Sequence, residues 1–128
     1  MGQSNPIRPI ALIVENDASQ RKVISILLEE SDYVVMECQS AEAAELVLRE
    51  MGAGLTLLIT DVNLAGRMNG IELAFVAQHH HPGLDIVVTS GRPLSRALPQ
   101  GAKFWPKPWA PVDILREAAM LQAASASR

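Results

Sequence analysis

Residues 55–61 read LTLLITD: nearly unbroken apolar residues over the length of a strand, 55–60, running straight into the carboxylate of Asp61. A strand with one wet face alternates apolar and polar side chains, whereas a strand covered on both faces is apolar almost throughout. This run is of the second kind and requires a layer on each side of it. Four more short runs share its character, at 10–14, 33–38, 85–89 and 102–105. Each is too short for a helix and is bounded by polar or turn residues. The segments between them have a helical rhythm. Residues 19–30 carry Val23, Ile24, Ile26, Leu27 and Leu28 as an apolar stripe, with Asp17 and Gln20 at capping-box spacing ahead of it. Ser40 caps a second helix that runs through Leu46 and Val47 to a stop at Gly52. A third begins near Asn69 and Gly70 and ends before Pro82, and the last follows Pro111 through Ile114, Leu115, Ala118 and Leu121.

Strands alternating with helices predict an α/β fold, a parallel sheet with helices on both faces. One connection is short. Only GRPLSRALPQ, with two prolines, separates the fourth and fifth strands, so a fourth helix there is shortened to one or two turns.

The chain has 128 residues, room for one domain with a proper core but not for two. Its net charge of -3 offers no basic field for a phosphate backbone, which argues against direct nucleic-acid binding. Cys38 has no second cysteine to pair with and sits in the apolar run YVVMEC, as a buried strand residue in a reducing compartment would. No run reaches the length of a membrane span and MGQSNPIRP lacks the apolar core of a signal peptide, so the expected location is the cytoplasm, away from the membrane. Polar and small residues at both ends predict a flexible leader over 1–8 and a flexible tail over 123–128, around a domain at 9–122. His79, His80 and His81 fall at a helix end, where partly cationic imidazoles suit the dipole. Adjacent helical residues do not converge on one ion, so a metal role is not expected of them.

In an open parallel sheet, sites form at the carboxyl ends of the strands. The first strand ends in Glu15 and Asn16, the third in Asp61, the fourth in Thr89 and Ser90, and Lys107 lies just past the fifth. Singly, each has a plain explanation as a turn, a cap or a surface charge. Together they put carboxylates, a hydroxyl and an amine on one rim. Carboxylates gathered in one place call for a cation, and an all-oxygen donor set suits Mg²⁺ rather than zinc. With an ammonium and a hydroxyl added, the rim has what a phosphoryl group needs.

These pieces, LIVEN, LLITDVNL, MNGIEL, VVTSG and FWPKPW, stand in the order and near the spacing that resembles the receiver domains of two-component response regulators, over nearly the whole chain. The resemblance implies a flavodoxin-like doubly wound sheet of five strands in the order 2-1-3-4-5. It implies that Asp61 takes a phosphoryl group from a phosphohistidine, through positioning and charge neutralisation rather than a general base. Lys107 would pair with a phosphoryl oxygen, and its bond to Pro108 would be cis. Thr89 would move to the phosphoryl group, and Phe104 stands at the switch aromatic position. Mg²⁺ would be held by Glu15, Asn16, Asp61 and the backbone carbonyl of Asn63, whose side chain, with Gly91, would tune phosphate loss. Partners would be a sensor histidine kinase or a histidine phosphotransfer protein, and a downstream protein target; a homodimer is a further possibility. The chain would be a stand-alone phosphoacceptor that signals by contact and is not an enzyme.

Three departures matter. Counting back from Arg21 puts the acidic pair at Glu15 and Asn16, with Asp17 left as a helix cap, so an amide stands where the metal's direct carboxylate is usual. The lost charge predicts weak Mg²⁺ binding and gives a rival reading its footing: a pseudo-receiver that works through protein contacts alone. The loop NLAGRMNG is about one residue longer than the common form and lacks its proline. The short fourth connection alters a face through which the family commonly signals, near Trp105 and Trp109, both expected in the core before any role as partner anchors. A second rival, a phosphatase of the haloacid dehalogenase type, would want an aspartate two residues past Asp61, and Asn63 is there.

Overall fold

The computed structural model describes residues 8–126; residues 1–7 of the leader expected over 1–8, and residues 127–128 of the tail expected over 123–128, lie outside the described residues. The chain alternates β1 (Ile10–Val14), α1 (Ala18–Glu30), β2 (Val34–Cys38), α2 (Ala41–Met51), a single 3-10 turn (Gly52–Gly54), β3 (Leu55–Asp61), α3 (Gly70–His80), β4 (Asp85–Ser90), β5 (Lys103–Pro106) and α4 (Pro111–Ala126). The five described strands form one sheet in the order β2-β1-β3-β4-β5, every pair parallel. This is the doubly wound flavodoxin-like arrangement, and strand ends differ from the sequence expectation by no more than one residue.

Side-chain alternation along the central strands divides the core in two. Leu12, Val14, Leu58 and Val88 face Ala41, Ala44, Leu48, Ile71 and Ala74 of α2 and α3 on one side. Ala11, Ile13, Leu57, Ile59 and Val87 face Ile24, Leu28, Ile114, Ala118 and Leu121 of α1 and α4 on the other, where Trp105 is also buried. Each large side chain withdrawn in this way stabilises the fold by roughly 1.5–3 kcal/mol relative to exposure. Caps set the helix starts: Asp17 accepts the Gln20 amide at 2.9 Å, Ser40 the Ala43 amide at 3.2 Å, and Asn69 and Glu72 form a reciprocal capping box.

Two expectations need correction. The shortened fourth helix is absent: among the described residues, 91–102 contain no helix. Pro93 and Pro99 leave too few residues between them to repay the cost of a helical nucleus. The segment instead lies on α3, with Leu94 and Leu98 against the core, the Gln78 amide donating to the Gln100 carbonyl at 2.7 Å, and the Arg96 guanidinium 5.1 Å above the Phe75 ring. Residues 123–126, expected in the tail, are helical, because α4 continues to Ala126; alanine has the highest helix propensity. His81 bonds the Leu48 carbonyl at 2.8 Å, joining the end of α3 to α2. Among the described residues no group of three His, Cys, Asp or Glu is placed to hold a metal.

The start of α3 is pressed onto the end of β3. Gly70 donates to the Val62 carbonyl at 2.8 Å, and a Cβ at Gly70 would lie 1.8 Å from the Asp61 carbonyl oxygen. Gly70→Ala must therefore displace backbone next to Asp61, with an expected loss of about 3 kcal/mol, read as a lower urea midpoint. Gly83→Ala, where an added Cβ meets nothing within 4 Å, should leave the midpoint within about 0.5 kcal/mol of the starting protein.

Candidate functional site

The carboxyl ends of β1, β3 and β4 and the loop after β5 meet at one rim. Register puts Asp61 opposite Thr89, and Thr89 opposite Trp105. Past the strands, Val62 donates to the Thr89 carbonyl at 3.0 Å and Lys107 to the Ser90 carbonyl at 2.8 Å. These backbone bonds carry the ladder far enough to bring Lys107 over the end of β3.

The Lys107 ammonium lies between two carboxylates that the sequence separates widely. It is 3.0 Å from Glu15 Oε1 and 3.3 Å from Asp61 Oδ2, and it also donates to the side-chain oxygen of Gln20. Glu15 is 2% exposed and Asp61 7%, so neither charge is satisfied by water alone. Glu15 Oε2 accepts the Asp17 amide at 3.1 Å. Burial pushes the Glu15 carboxyl above its ordinary 4.5, and the charge of Asp61 adds to that, while the Asp17 N–H and the Lys107 ammonium act in the opposite direction. The Lys107–Pro108 peptide bond is cis.

Asn16 is exposed, on the turn between buried Glu15 and the cap Asp17. The assignment of Asp17 as a cap rather than a site residue thus agrees with the geometry. Asn63 is exposed in the loop after β3, and Phe104 is half-buried on β5, opposite Val88 and so one position away from Thr89. The structure therefore brings Glu15, Asp61 and Lys107 into contact and sets Thr89 beside them, and it leaves Asn16 and Asn63 at the open edge.

Three contributors escaped the sequence. Gln20 was read only as the partner of Asp17 in a capping box; its backbone fills that role while its side chain turns to Lys107. Trp109, read as core, is half-buried against the α1–α4 cluster, donates its indole N–H to Thr89 Oγ1 at 2.8 Å, and has the Lys107 ammonium 5.2 Å from its ring centroid. Glu42 of α2 takes the amides of Arg67 at 3.1 Å and Met68 at 2.9 Å, anchoring the loop that carries Asn63. The Met68 N–H in particular holds the Glu42 carboxyl below its ordinary value. The signal was present: a loop with an extra residue and no proline, turning through Gly66 at φ +98°, needs an external anchor.

Comparison with known proteins agrees with this fold. The model of the response regulator receiver domain matches residues 11–118, and the chain belongs to that family. It is similar to the receiver domain of the hybrid histidine kinase CckA, at 26% identity and a TM-score of 0.77, covering 88% of this chain and 97% of that one. The fold is shared with a response regulator receiver protein from Sinorhizobium medicae WSM419, at 21% identity, TM-score 0.81 and coverage of 91% and 96%. It is shared too with a CheY-like receiver domain protein from Methanospirillum hungatei JF-1, at 23% identity, TM-score 0.79 and coverage of 94% and 99%. No curated protein matches the chain in sequence. Among the described residues no helix is long and apolar enough to cross a membrane.

Lys107→Met leaves Glu15 buried beside Asp61 with no cation. Full burial would make the loss about 3–5 kcal/mol; because Lys107 is 18% exposed, about 2 kcal/mol is expected at pH 7. A Glu15 carboxyl raised still further is stable while protonated and costs stability as pH rises through its folded value. The difference between variant and parent in urea denaturation should therefore shrink on going from pH 7 to pH 4, and a constant difference would contradict the contact.

Proposed function

We propose that this chain accepts a phosphoryl group on Asp61 from a phosphohistidine and passes the signal on by protein contact. The observation that carries the reading is the ammonium of Lys107 lying between Asp61 and Glu15, with Thr89 in register beside Asp61. In the transfer, a carboxylate oxygen of Asp61 forms the new O–P bond as the N–P bond breaks, and the bonding pair returns to the imidazole of the donor. A carboxylate nucleophile carries no proton to be removed during attack, so no general base is required, and rate depends on position and on neutralising the phosphoryl oxygens. Lys107 would exchange its carboxylate contacts for a phosphoryl oxygen, and Thr89 would donate its hydroxyl to another. Phe104 would follow the movement of Thr89 as the switch aromatic.

The donors at the rim fit Mg²⁺ in kind, since all are hard oxygens. Glu15, Asp61, the Asn63 carbonyl and the Asn16 amide would hold the ion, which would supply further charge neutralisation at the phosphoryl oxygens. With an amide at position 16 only two carboxylates contribute, and affinity is correspondingly low. That same amide supports the second reading, a pseudo-receiver with impaired metal binding and phosphorylation. The intact Asp61, Thr89 and Lys107 favour the first. The donor would be a sensor histidine kinase or a phosphotransfer protein in the cytoplasm. The chain assists its own phosphorylation and dephosphorylation, as a phosphoacceptor rather than an enzyme with a separate substrate.

Incubation with Mg²⁺ and acetyl phosphate should shift the protein on a phosphate-affinity gel, and Asp61→Asn should remove the shift; a shift that persists in the variant takes Asp61 out of its role. Asn16→Asp should tighten Mg²⁺ binding about tenfold, roughly 1.4 kcal/mol for the added charge at a partly exposed site, as measured by titration calorimetry. Unchanged affinity would mean that residue 16 is not a ligand.

A further inference from the structure

The indole of Trp109 touches both groups that the proposed phosphoryl transfer would recruit. Its N–H donates to Thr89 Oγ1 at 2.8 Å and its ring lies 5.2 Å from the Lys107 ammonium. An indole N–H can only donate, so the Thr89 oxygen is the acceptor and its rotamer is held on the side of the loop after β5. Thr89 is 1% exposed, so that oxygen is shielded from bulk solvent. Trp109 also lines an open cavity of about 590 Å³ between α1 and this loop, with Ser19, Gln20, Val23, Gly91 and Pro108 around it. The ring therefore borders open space on the α1 side. The segment 91–102, by contrast, has no helix to shift and is tied to α3 through Gln100 and Arg96.

We propose that Trp109 is the positioning residue of the switch in this chain: it restrains Thr89 before phosphorylation, and it is released toward the groove between α1 and the β5–α4 loop when Asp61 carries a phosphoryl group. The proposal rests on Asp61 being the phosphoacceptor. The Thr89 hydroxyl can accept from the indole and donate at the same time, so the restraint is one of position. To reach a phosphoryl group on Asp61 of neighbouring β3 the hydroxyl must leave the indole, and its bond to an ionised oxygen, roughly twice as strong as a neutral one, favours that movement. The same group draws the Lys107 ammonium off the ring. Both restraints on Trp109 are lost in one event, and the signal leaves the site through α1 and the loop rather than through 91–102.

Two indole N–H groups report on this in ¹H–¹⁵N spectra. Trp105, whose buried Nε1 has no hydrogen-bond partner among the described residues, serves as the internal reference, and Trp105→Phe assigns the pair. Thr89→Val should move the Trp109 indole resonance upfield with no phosphoryl group present, and Thr89→Ser, which restores the acceptor, should return it. Acetyl phosphate with Mg²⁺ should produce the same upfield movement in the parent protein as the phosphate-affinity gel shift develops. An indole resonance that stays in place while the gel shift is complete overturns the role of Trp109 and leaves Asp61 intact. Absence of the gel shift overturns the phosphoacceptor reading, and this proposal with it. A binding measurement separates restraint from mere packing. Trp109→Phe keeps a ring beside Lys107 but loses the N–H, and should tighten binding of beryllofluoride with Mg²⁺ about fivefold, the factor corresponding to one net neutral hydrogen bond. The gain should vanish in the Thr89→Val background. Weaker binding in Trp109→Phe, or a gain that survives without the Thr89 hydroxyl, would show that Trp109 only fills space.

Discussion

The contact on which the site depends is the ammonium of Lys107 held between Glu15 and Asp61. Two buried carboxylates at the ends of neighbouring strands repel each other and resist ionisation. A cation between them offsets part of both penalties and draws together β1, β3 and the loop after β5. The cation is itself fixed by backbone, through the Lys107 amide on the Ser90 carbonyl, and by Gln20 from α1. On the proposed reading, a phosphoryl group arriving at Asp61 would enter a place where positive charge is already oriented, which is how electrostatic preorganisation lowers a barrier without rearrangement at the moment of reaction.

Around that contact, the fold spends its irregular backbone where the chemistry needs it. Gly70 lets the first turn of α3 lie against the carbonyl of Asp61, so the end of β3 and the start of α3 form one rigid unit. Glu42 reaches from α2 to hold the amides of Arg67 and Met68, which keeps the exposed Asn63 loop attached to the sheet. Arg21 does the same on the other side of the rim, donating to the Glu15 carbonyl at 2.6 Å and pairing with Glu37 at 3.2 Å. The two core clusters hold the strand ends level from opposite faces, and the rim is accurate because the layers beneath it are packed.

The missing helix between β4 and β5 changes which surfaces are available to carry a signal. In its place lies an irregular segment whose leucines complete the core over α3 and whose Arg96 covers the partly exposed Phe75. The opposite side of Lys107 has the Trp109 indole and an open cavity instead. On the proposed reading, the consequences of phosphorylation would emerge on that side in this chain, because where they emerge depends on what is packed beside the site and not on the site itself.

Much of this was legible in the primary structure. Apolar runs of strand length alternating with helical stripes determined a parallel sheet with two covered faces, since no other packing buries such strands on both sides. Strand-end placement then put Glu15, Asp61, Thr89 and Lys107 on one rim, and the cap at Asp17 was evident from its distance to Gln20. Tertiary structure alone decided how these groups pair. That the Gln20 side chain turns to Lys107, that Glu42 clasps a loop 25 residues further on, and that Trp109 bonds Thr89 across 20 residues are contacts between side chains whose separation in sequence carries no periodic signal. The same limit applies to residues 91–102: two prolines announced a shortened helix, and the fit of Leu94 and Leu98 against the core made an irregular path without one the stable arrangement, because burial of those side chains stabilises it where local hydrogen bonding could not.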